Sequence, residues 1–202
     1  MDGGETVTAG APQGRRNWDV SALIAALIGL LALCVSAYTA YIQRQQVRAQ
    51  VWPYLEPGIS GSKREIVLVN KGVGPAIVKS VRIYVDGKAQ RDWSAVFSAL
   101  GMKFEHAPPF STVFGVVISA GDRIDQVLFQ SVEDFNAYAH QADRVEKMYC
   151  YCSSLSECWI YDDRVTDPSR ITQPVDQCPA RSGDDFLDNV AAQAATPSRD
   201  DD

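Results

Sequence analysis

Four cysteines late in the chain are the residues whose type and spacing best support chemistry. They are Cys150, Cys152, Cys158 and Cys178, whereas Cys34 stands alone far upstream. An even set confined to one region indicates two disulfides formed in an oxidising compartment. The alternative is one zinc ion held by the same thiolates, but structural zinc sites use pairs of cysteines two to four residues apart. Here one, five and nineteen residues separate successive cysteines, so the spacing favours disulfides.

Four cysteines allow three connectivities, and the surrounding residues suggest one of them. Residues 148–153 and 157–162 form a predicted β-hairpin around Ser154-Leu155-Ser156. In that hairpin Cys152 lies opposite Cys158, close enough for a disulfide. Cys150 then pairs with Cys178. A redox-active role for Cys150 and Cys152 is disfavoured, because such pairs usually have two intervening residues at the start of a helix.

The other polar residues form no recognisable catalytic motif. His106 lies in a proline-containing loop and His140 on a predicted helix, and neither has an evident partner. Glu157, Asp162 and Asp163 are the candidates for an enzyme with an unrecognised acidic site, which requires them to converge in a cleft. Asp162 and Asp163 do not predict a calcium site, because calcium loops need more oxygen ligands at regular spacing. The sequence therefore favours a protein that is not an enzyme and that uses no cofactor or metal.

An apolar stretch near the start of the chain anchors everything that follows. Residues 20–42 carry no charge. At ~1.5 Å per helical residue, this length spans a hydrocarbon core of ~30 Å. Trp18 precedes the stretch, and Tyr38 and Tyr41 lie near its far end, where amphipathic rings prefer the membrane interface. We predict a single transmembrane helix in contact with the lipid bilayer.

A cleaved signal peptide is the main alternative for this region. Helix-forming residues, however, continue to Gln50, and the first breaker is Pro53. The predicted helix and its extension therefore cover residues 18–50. Ala25 and Gly29 form a small-xxx-small pair of the kind that lets two helices approach closely, which predicts a homo-oligomer or docking to another membrane helix.

The charge distribution argues against nucleic-acid binding but does not indicate how the helix is oriented in the membrane. The formal net charge is −6, and no cluster of Lys and Arg is interleaved with aromatic residues, so nucleic-acid binding is not expected. Arginines are balanced across the helix, two before it and two after it. Because disulfides form outside the cytoplasm, we expect an inner-membrane protein with a cytoplasmic N-terminus and a periplasmic domain.

Apolar patterning predicts a β-rich domain behind the anchor. Strands are expected over 65–70, 76–85, 113–119, 123–130 and the two arms of the cysteine hairpin. One short helix contains Trp93 as a core residue, and a second is capped by Ser131 with Val132, Phe135, Ala139 and Ala142 facing inward. The predicted fold is one N-terminal transmembrane α-helix followed by a β-rich, sandwich-like α+β domain with two short helices. The domain covers 51–178, between a disordered tail over 1–17 and a disordered acidic tail over 179–202.

Three motifs resemble those of uncharacterised bacterial single-pass membrane-anchored proteins. They are Val51-Trp52-Pro53-Tyr54-Leu55-Glu56, Asn70-Lys71-Gly72-Val73-Gly74-Pro75-Ala76, and Cys150-Tyr151-Cys152-Ser153 with Cys158-Trp159. The resemblance implies no specific activity. Asn70, Gly72, Gly74 and Pro75 are interpreted as a structural turn, in which the two glycines supply unusual backbone angles.

These observations predict a non-catalytic, membrane-anchored module that binds a protein or an envelope component. One alternative is an accessory subunit whose helix packs on a larger membrane complex. The other is an enzyme that uses the acidic residues named above. An exposed apolar surface favours the first function, and a deep pocket with clustered carboxylates favours an enzyme.

Overall fold

A computed structural model describes residues 15–186 of the chain, with side chains from residue 20 onward. Residues 1–14 and 187–202 lie outside it, so most of both predicted tails falls outside the described residues. The chain divides into two compact units, one ending at Val47 and one beginning at Arg48.

The first unit consists of α1, a 36-residue helix over Arg15–Gln50. It begins at Arg15 rather than at residue 18. An 18-residue window of α1 has a mean hydropathy of 2.5 and is 0% buried. Ser36 and Thr39 donate their hydroxyls to carbonyls of their own helix, at 2.8 and 2.9 Å, so these polar groups need no outside partner. Within the described residues, α1 is the one helix long and apolar enough to cross a membrane.

The second unit is a β-rich domain of two antiparallel sheets with two short α-helices. Its described elements are β1 (Leu55–Ser60), β2 (Glu65–Asn70), β3 (Ala76–Val85), β4 (Lys88–Gln90), α2 (Trp93–Ala99), β5 (Val117–Ile118), β6 (Arg123–Leu128), α3 (Val132–Ala139), β7 (Val145–Cys152), β8 (Cys158–Asp162) and β9 (Thr172–Val175). One sheet has the order β1-β2-β6. The other has the order β4-β3-β7-β8-β9, with β5 paired to β3. The predicted fold class is therefore confirmed.

One hydrophobic core holds both sheets and both helices together. Leu55 and Leu68 come from the first sheet, Ile83 and Tyr149 from the second, and Trp93 from α2, and all five are at most 2% exposed. β7, which lies between β3 and β8, is buried along nearly its whole length. Because each sheet buries a face against the same core, the arrangement is sandwich-like.

The predicted turn and cap signals have the expected local structure. Asp86 and Gly87 connect β3 to β4 with φ angles of 50° and 74°, as a tight hairpin turn requires. Ser131 caps α3 by accepting a hydrogen bond from the backbone N–H of Asp134 at 3.0 Å.

The inward face of α3 differs from the prediction. Val132 is 50% exposed, whereas Phe135 is buried and Tyr138 is 0% exposed. Residues 135 and 138 lie three apart on one face, and Val132 opens the first turn at the edge of that face. Ala139 is also exposed, whereas Ala142, which follows α3, packs against the core as predicted. The inward residues of α3 itself are therefore Phe135 and Tyr138.

Proline and glycine account for the main differences in the strands. The sequence does not predict β1 and β9, because they contain Pro57 and Pro174. Both prolines are tolerated since these strands lie at the edges of their sheets. The predicted strand over 113–119 is reduced to β5, because Gly115 has a φ of 76° and turns the chain.

The domain extends past the predicted boundary at residue 178. Phe186 is 2% exposed, and its backbone N–H donates to the carbonyl of Val81 at 2.8 Å. Asp185 is 5% exposed and pairs with Arg82 at 3.0 Å. The predicted start of the disordered tail at residue 179 is therefore too early. The composition becomes acidic from residue 179, but the Arg82–Asp185 ion pair and the buried ring of Phe186 attach this segment to the domain.

Candidate functional site

Asn70 fastens the segment after α1 to the domain. Its side chain is 0% exposed and makes four hydrogen bonds. The amide nitrogen donates to the carbonyls of Gly74 at 2.8 Å and Ile118 at 2.9 Å. The amide oxygen accepts from the backbone N–H of Tyr54 at 3.1 Å and of Gly72 at 3.0 Å. Two donated and two accepted bonds use the full capacity of a primary amide.

Gly72 and Gly74 are required for close approach of two backbones. A Cβ on Gly72 would lie 2.4 Å from the carbonyl oxygen of Trp52, and one on Gly74 would lie 2.2 Å from the carbonyl of Val51. Their φ angles lie outside the left-handed region. The expected need for unusual backbone angles is therefore replaced by a need for space. Pro75 ends the turn directly before β3.

The four late cysteines form two adjacent disulfides. The structure joins Cys152 to Cys158 and Cys150 to Cys178, which are the pairs expected from the hairpin. Cys152 and Cys158 lie directly opposite each other in β7 and β8. The Sγ atoms of Cys152 and Cys178, which belong to different bridges, lie 3.8 Å apart. Cys34, on α1, is a free and exposed thiol.

The acidic residues named for an enzyme are distributed between separate contacts. Glu157 precedes β8 and binds Arg48 at 2.9 Å, whereas Asp162 ends β8 and binds Arg164 at 2.7 Å. At ~3.3 Å per strand residue, the backbones of these two residues lie roughly 17 Å apart. Asp163 lies next to Asp162 and accepts a hydrogen bond from a different group, described next.

Asp163 is partly buried and lies beside four buried polar side chains, those of Lys147, Tyr149, Gln126 and Tyr138. The carboxylate accepts from the backbone N–H of Lys147 at 2.6 Å, and the Tyr149 hydroxyl donates to Gln126 at 2.9 Å. Burial lowers the pKa of Lys147, opposed by the charge of Asp163. Burial raises the pKa of Asp163, opposed by the Lys147 backbone N–H. Among the described atoms, the Tyr138 hydroxyl and the Gln126 amide nitrogen are buried without a hydrogen-bond partner.

The alternation of residues along β7 is the signal in the sequence for this cluster. Val145, Lys147, Tyr149 and Tyr151 alternate along β7 and share one face. Val145 and the two tyrosines are core residues, so Lys147 projects toward the core as well and is 8% exposed. A lysine in phase with apolar strand residues is the pattern that identifies it.

An apolar groove of about 300 Å³ lies beside α2. Six large apolar residues account for most of its lining, namely Trp93, Phe97, Met102, Phe104, Pro108 and Phe110. Ser94 and Ser98 lie one helical turn apart at its mouth and are exposed. A volume of this size accommodates one large side chain or a short apolar segment.

Backbone hydrogen bonds hold the wall of the groove opposite α2. The Met102 N–H donates to the carbonyl of Phe97 at 2.9 Å. Farther along, the Leu128 N–H of β6 donates to Pro109 at 3.1 Å, and Phe110 forms a bridge with Val127. The ring of Phe110 is nevertheless 40% exposed. From the sequence, 106–112 was expected only to be a loop.

The remaining aromatic and membrane-anchor residues are found in varied environments. Tyr38 and Tyr41 are 67% and 59% exposed on α1, and a Cβ on Gly29 would meet nothing within 4 Å. The side chain of Trp18 lies outside the described ones. Trp159 stacks on Tyr151, with ring centroids 6.2 Å apart.

The two histidines and Trp52 are on the surface. His106 and His140 are exposed. Trp52 is 44% exposed and lies 5.6 Å from the ring of Tyr54.

No protein-family model, curated protein or solved structure matches this chain. The resemblance of its motifs to bacterial single-pass membrane-anchored proteins therefore stays a prediction.

Proposed function

We propose that this protein is a non-catalytic, membrane-anchored module that binds a partner protein of the cell envelope through the groove beside α2. The observation that carries the proposal is the groove itself, which is lined by aromatic rings and exposes part of Phe110. Preformed apolar pockets with a polar mouth are typical of binding sites. The partner that fits is a protein segment presenting a large apolar side chain.

The proposed location is the inner membrane, with a cytoplasmic N-terminus and a periplasmic domain. α1 supports the anchor, since it is long and apolar enough to cross a bilayer. Two disulfides support an oxidising compartment for the domain.

The enzymatic alternative receives less support. It requires Glu157, Asp162 and Asp163 to converge in one cleft. Glu157 and Asp162 instead lie at opposite ends of β8, each bound to its own arginine. The accessory-subunit alternative depends on contacts of α1 with another membrane helix.

Site-specific photo-crosslinking in intact membranes tests the groove. A benzophenone side chain is introduced at Ser98, which lines the groove, or at Ala99, which is exposed on the same helix but does not line it. We expect one discrete protein adduct from position 98 and none from position 99. Adding Ser94→Trp to the position-98 chain should fill the mouth of the groove and remove the adduct.

Equal crosslinking from both positions would show that α2 is merely near other proteins. Adducts with lipid alone would replace the protein partner by the bilayer. An adduct from position 98 that persists with Ser94→Trp would mean that the groove is not the contact.

A further inference from the structure

The chain enters the domain at one end of the two sheets, which we call the anchor end. β1 begins at Leu55, shortly after the last residue of α1, and Leu55 pairs with Asn70, the last residue of β2. β3 begins at Ala76 after the next turn, and its residue Ile77 pairs with Cys152, the last residue of β7. The loops that connect these strand ends therefore lie together, next to the segment that follows α1.

Three loops at the anchor end each expose one large apolar side chain. Trp52, between α1 and β1, is 44% exposed, Val73, between β2 and β3, is 61% exposed, and Leu155, between β7 and β8, is 46% exposed. The backbone N–H of Val73 donates to the carbonyl of Trp52 at 2.9 Å, so two of these loops are in contact. Turns are usually formed by glycine, proline and polar residues. An apolar side chain at such a position contributes little to the core of the domain.

An ion pair holds the third loop beside the last turn of α1. Glu157 binds Arg48 at 2.9 Å, and Leu155 lies two residues before Glu157 in the same turn. Arg48 lies six residues after Ile42, where the uncharged stretch ends, which corresponds to ~9 Å along a helix. The headgroup layer on each side of a bilayer is ~5–8 Å thick. If residues 20–42 span the hydrocarbon core, this turn is therefore held near the height of the headgroups.

We propose that the anchor end of the domain docks on the surface of the bilayer that α1 crosses, with Trp52, Val73 and Leu155 entering the headgroup layer. A tryptophan ring prefers the membrane interface, and aliphatic side chains gain free energy when they leave water. The partner of this surface is thus lipid. The inference rests on the proposed membrane anchor and does not depend on the groove beside α2.

The covalent link to α1 favours lipid over a protein as the occupant. A surface tethered this close to a bilayer meets lipid at a high effective concentration, so weak binding by three side chains is enough. The polar residues beside these side chains also tolerate the interface. Ser154 and Ser156 flank Leu155 and carry no charge, and Lys71, two residues before Val73, pairs with Glu56 at 2.7 Å. Neutral or paired groups lose less on leaving water than isolated charges do.

Fluorescence quenching by spin-labelled lipids tests the docking in the full-length chain. An environment-sensitive fluorescent amino acid replaces Leu155, and the chain is reconstituted into vesicles of phosphatidylcholine and phosphatidylglycerol without other proteins. Leu128 is the matched control, because it is 44% exposed but pairs with Glu65 at the opposite end of the sheet β1-β2-β6. Leu33, within the uncharged stretch of α1, reports insertion of the anchor. Both leaflets carry the spin label, so the direction of insertion does not affect the result.

We expect a headgroup spin label to reduce the fluorescence from position 155 at least about twofold, because the apolar groups of surface-bound elements enter the interface by about 5–10 Å. The fluorescence from position 128 should not change. A spin label in the middle of the acyl chains should quench position 33. The same fluorescent residue at Val73 repeats the measurement on a second loop with the hairpin intact, and near-ultraviolet circular dichroism shows that each labelled chain is folded.

Three results would overturn the proposal. Quenching at position 33 without quenching at 155 or 73 would leave the anchor in place and show that the domain stands clear of lipid, so the three side chains would be available to a protein partner instead. Equal quenching at 155 and 128 would mean that the anchor end is not the surface that faces the bilayer. An unquenched position 33 would remove the anchor itself, and the docking with it.

Discussion

At the scale of single residues, Asn70 shows how one side chain can join distant parts of the chain. Its amide bonds to Tyr54, to its own turn and to Ile118. A buried amide is tolerated only when its hydrogen bonds are made, and here all four are. Its value lies in specificity, because no apolar residue of similar size could hold these three segments in register.

Replacing Asn70 should therefore be costly. We expect Asn70→Ala to lower the free energy of unfolding of the domain by about 3 kcal/mol, because it leaves buried backbone groups unpaired. Asn136→Ala, which removes an exposed amide on α3, should change it by less than about 0.5 kcal/mol. Urea unfolding followed by tryptophan fluorescence measures both. Equal effects would mean that the four hydrogen bonds add nothing beyond a surface amide.

Lys147 should make stability depend on alkaline pH. Burial lowers the pKa of Lys147 below 10.5. Between this lowered pKa and pH 10.5, the unfolded chain therefore binds more protons at this position than the folded chain. The lysine therefore costs stability at neutral pH, and the cost is relieved as pH rises from the folded pKa toward 10.5. We expect Lys147→Met to be more stable than the parent chain at pH 7, with a difference that shrinks as pH increases.

Unfolding curves of the two chains at several pH values check this prediction. Both chains lose stability at high pH, because burial raises the pKa of Tyr151 and Tyr161 to about 12 in the folded state. Only the difference between the two chains therefore reports on Lys147. A difference that stays constant with pH would show that the ionisation of Lys147 is not coupled to folding.

At the scale of elements, the sequence predicts local structure better than contacts. β2 and β3 have the predicted bounds because their apolar runs end in clear turn residues. β1 and β9 were missed because proline is read as a breaker, although an edge strand tolerates it. The apolar groove and the buried polar cluster were missed because they assemble residues that are far apart in sequence. The cysteine pairs were accessible from sequence because one of them spans a short hairpin.

The small-residue face of α1 carries the prediction at this scale. If Ala25 and Gly29 form a close helix contact, Gly29→Leu should reduce association of the chain in membranes, because the larger side chain separates the backbones. Leu31→Ala changes a residue on another face and should have no effect. Disulfide-independent crosslinking, or energy transfer between labelled chains, measures the associated fraction. The same fraction in both variants would mean that this face does not mediate self-association.

At the scale of the whole molecule, the two disulfides and the apolar helix together imply a sidedness. If the domain is periplasmic, a membrane-impermeant maleimide added to intact cells should label Cys150, Cys152, Cys158 and Cys178 only after reduction. Mass spectrometry of the labelled peptides gives the result. Cys34 should stay unlabelled in both conditions, since it lies within the apolar part of α1.

Labelling without reduction would mean that the thiols are free in cells. Thiols that are reached only after the cells are opened would place the domain in the cytoplasm, where the partner would then have to be sought. A chain that lacks the N-terminal apolar segment would instead reveal cleavage of a signal peptide.

The contacts of Asn70 also set an order of events during synthesis. Ile118, which accepts one of its hydrogen bonds, is added 64 residues after Tyr54, which donates another. At roughly 5–20 residues per second, this interval lasts about 3–13 s. The segment next to the helix is thus among the first parts of the domain to emerge, yet it cannot be fastened until much later. Until then its exposed backbone is available to chaperones, so the point closest to the anchor is also where assistance with folding would act longest.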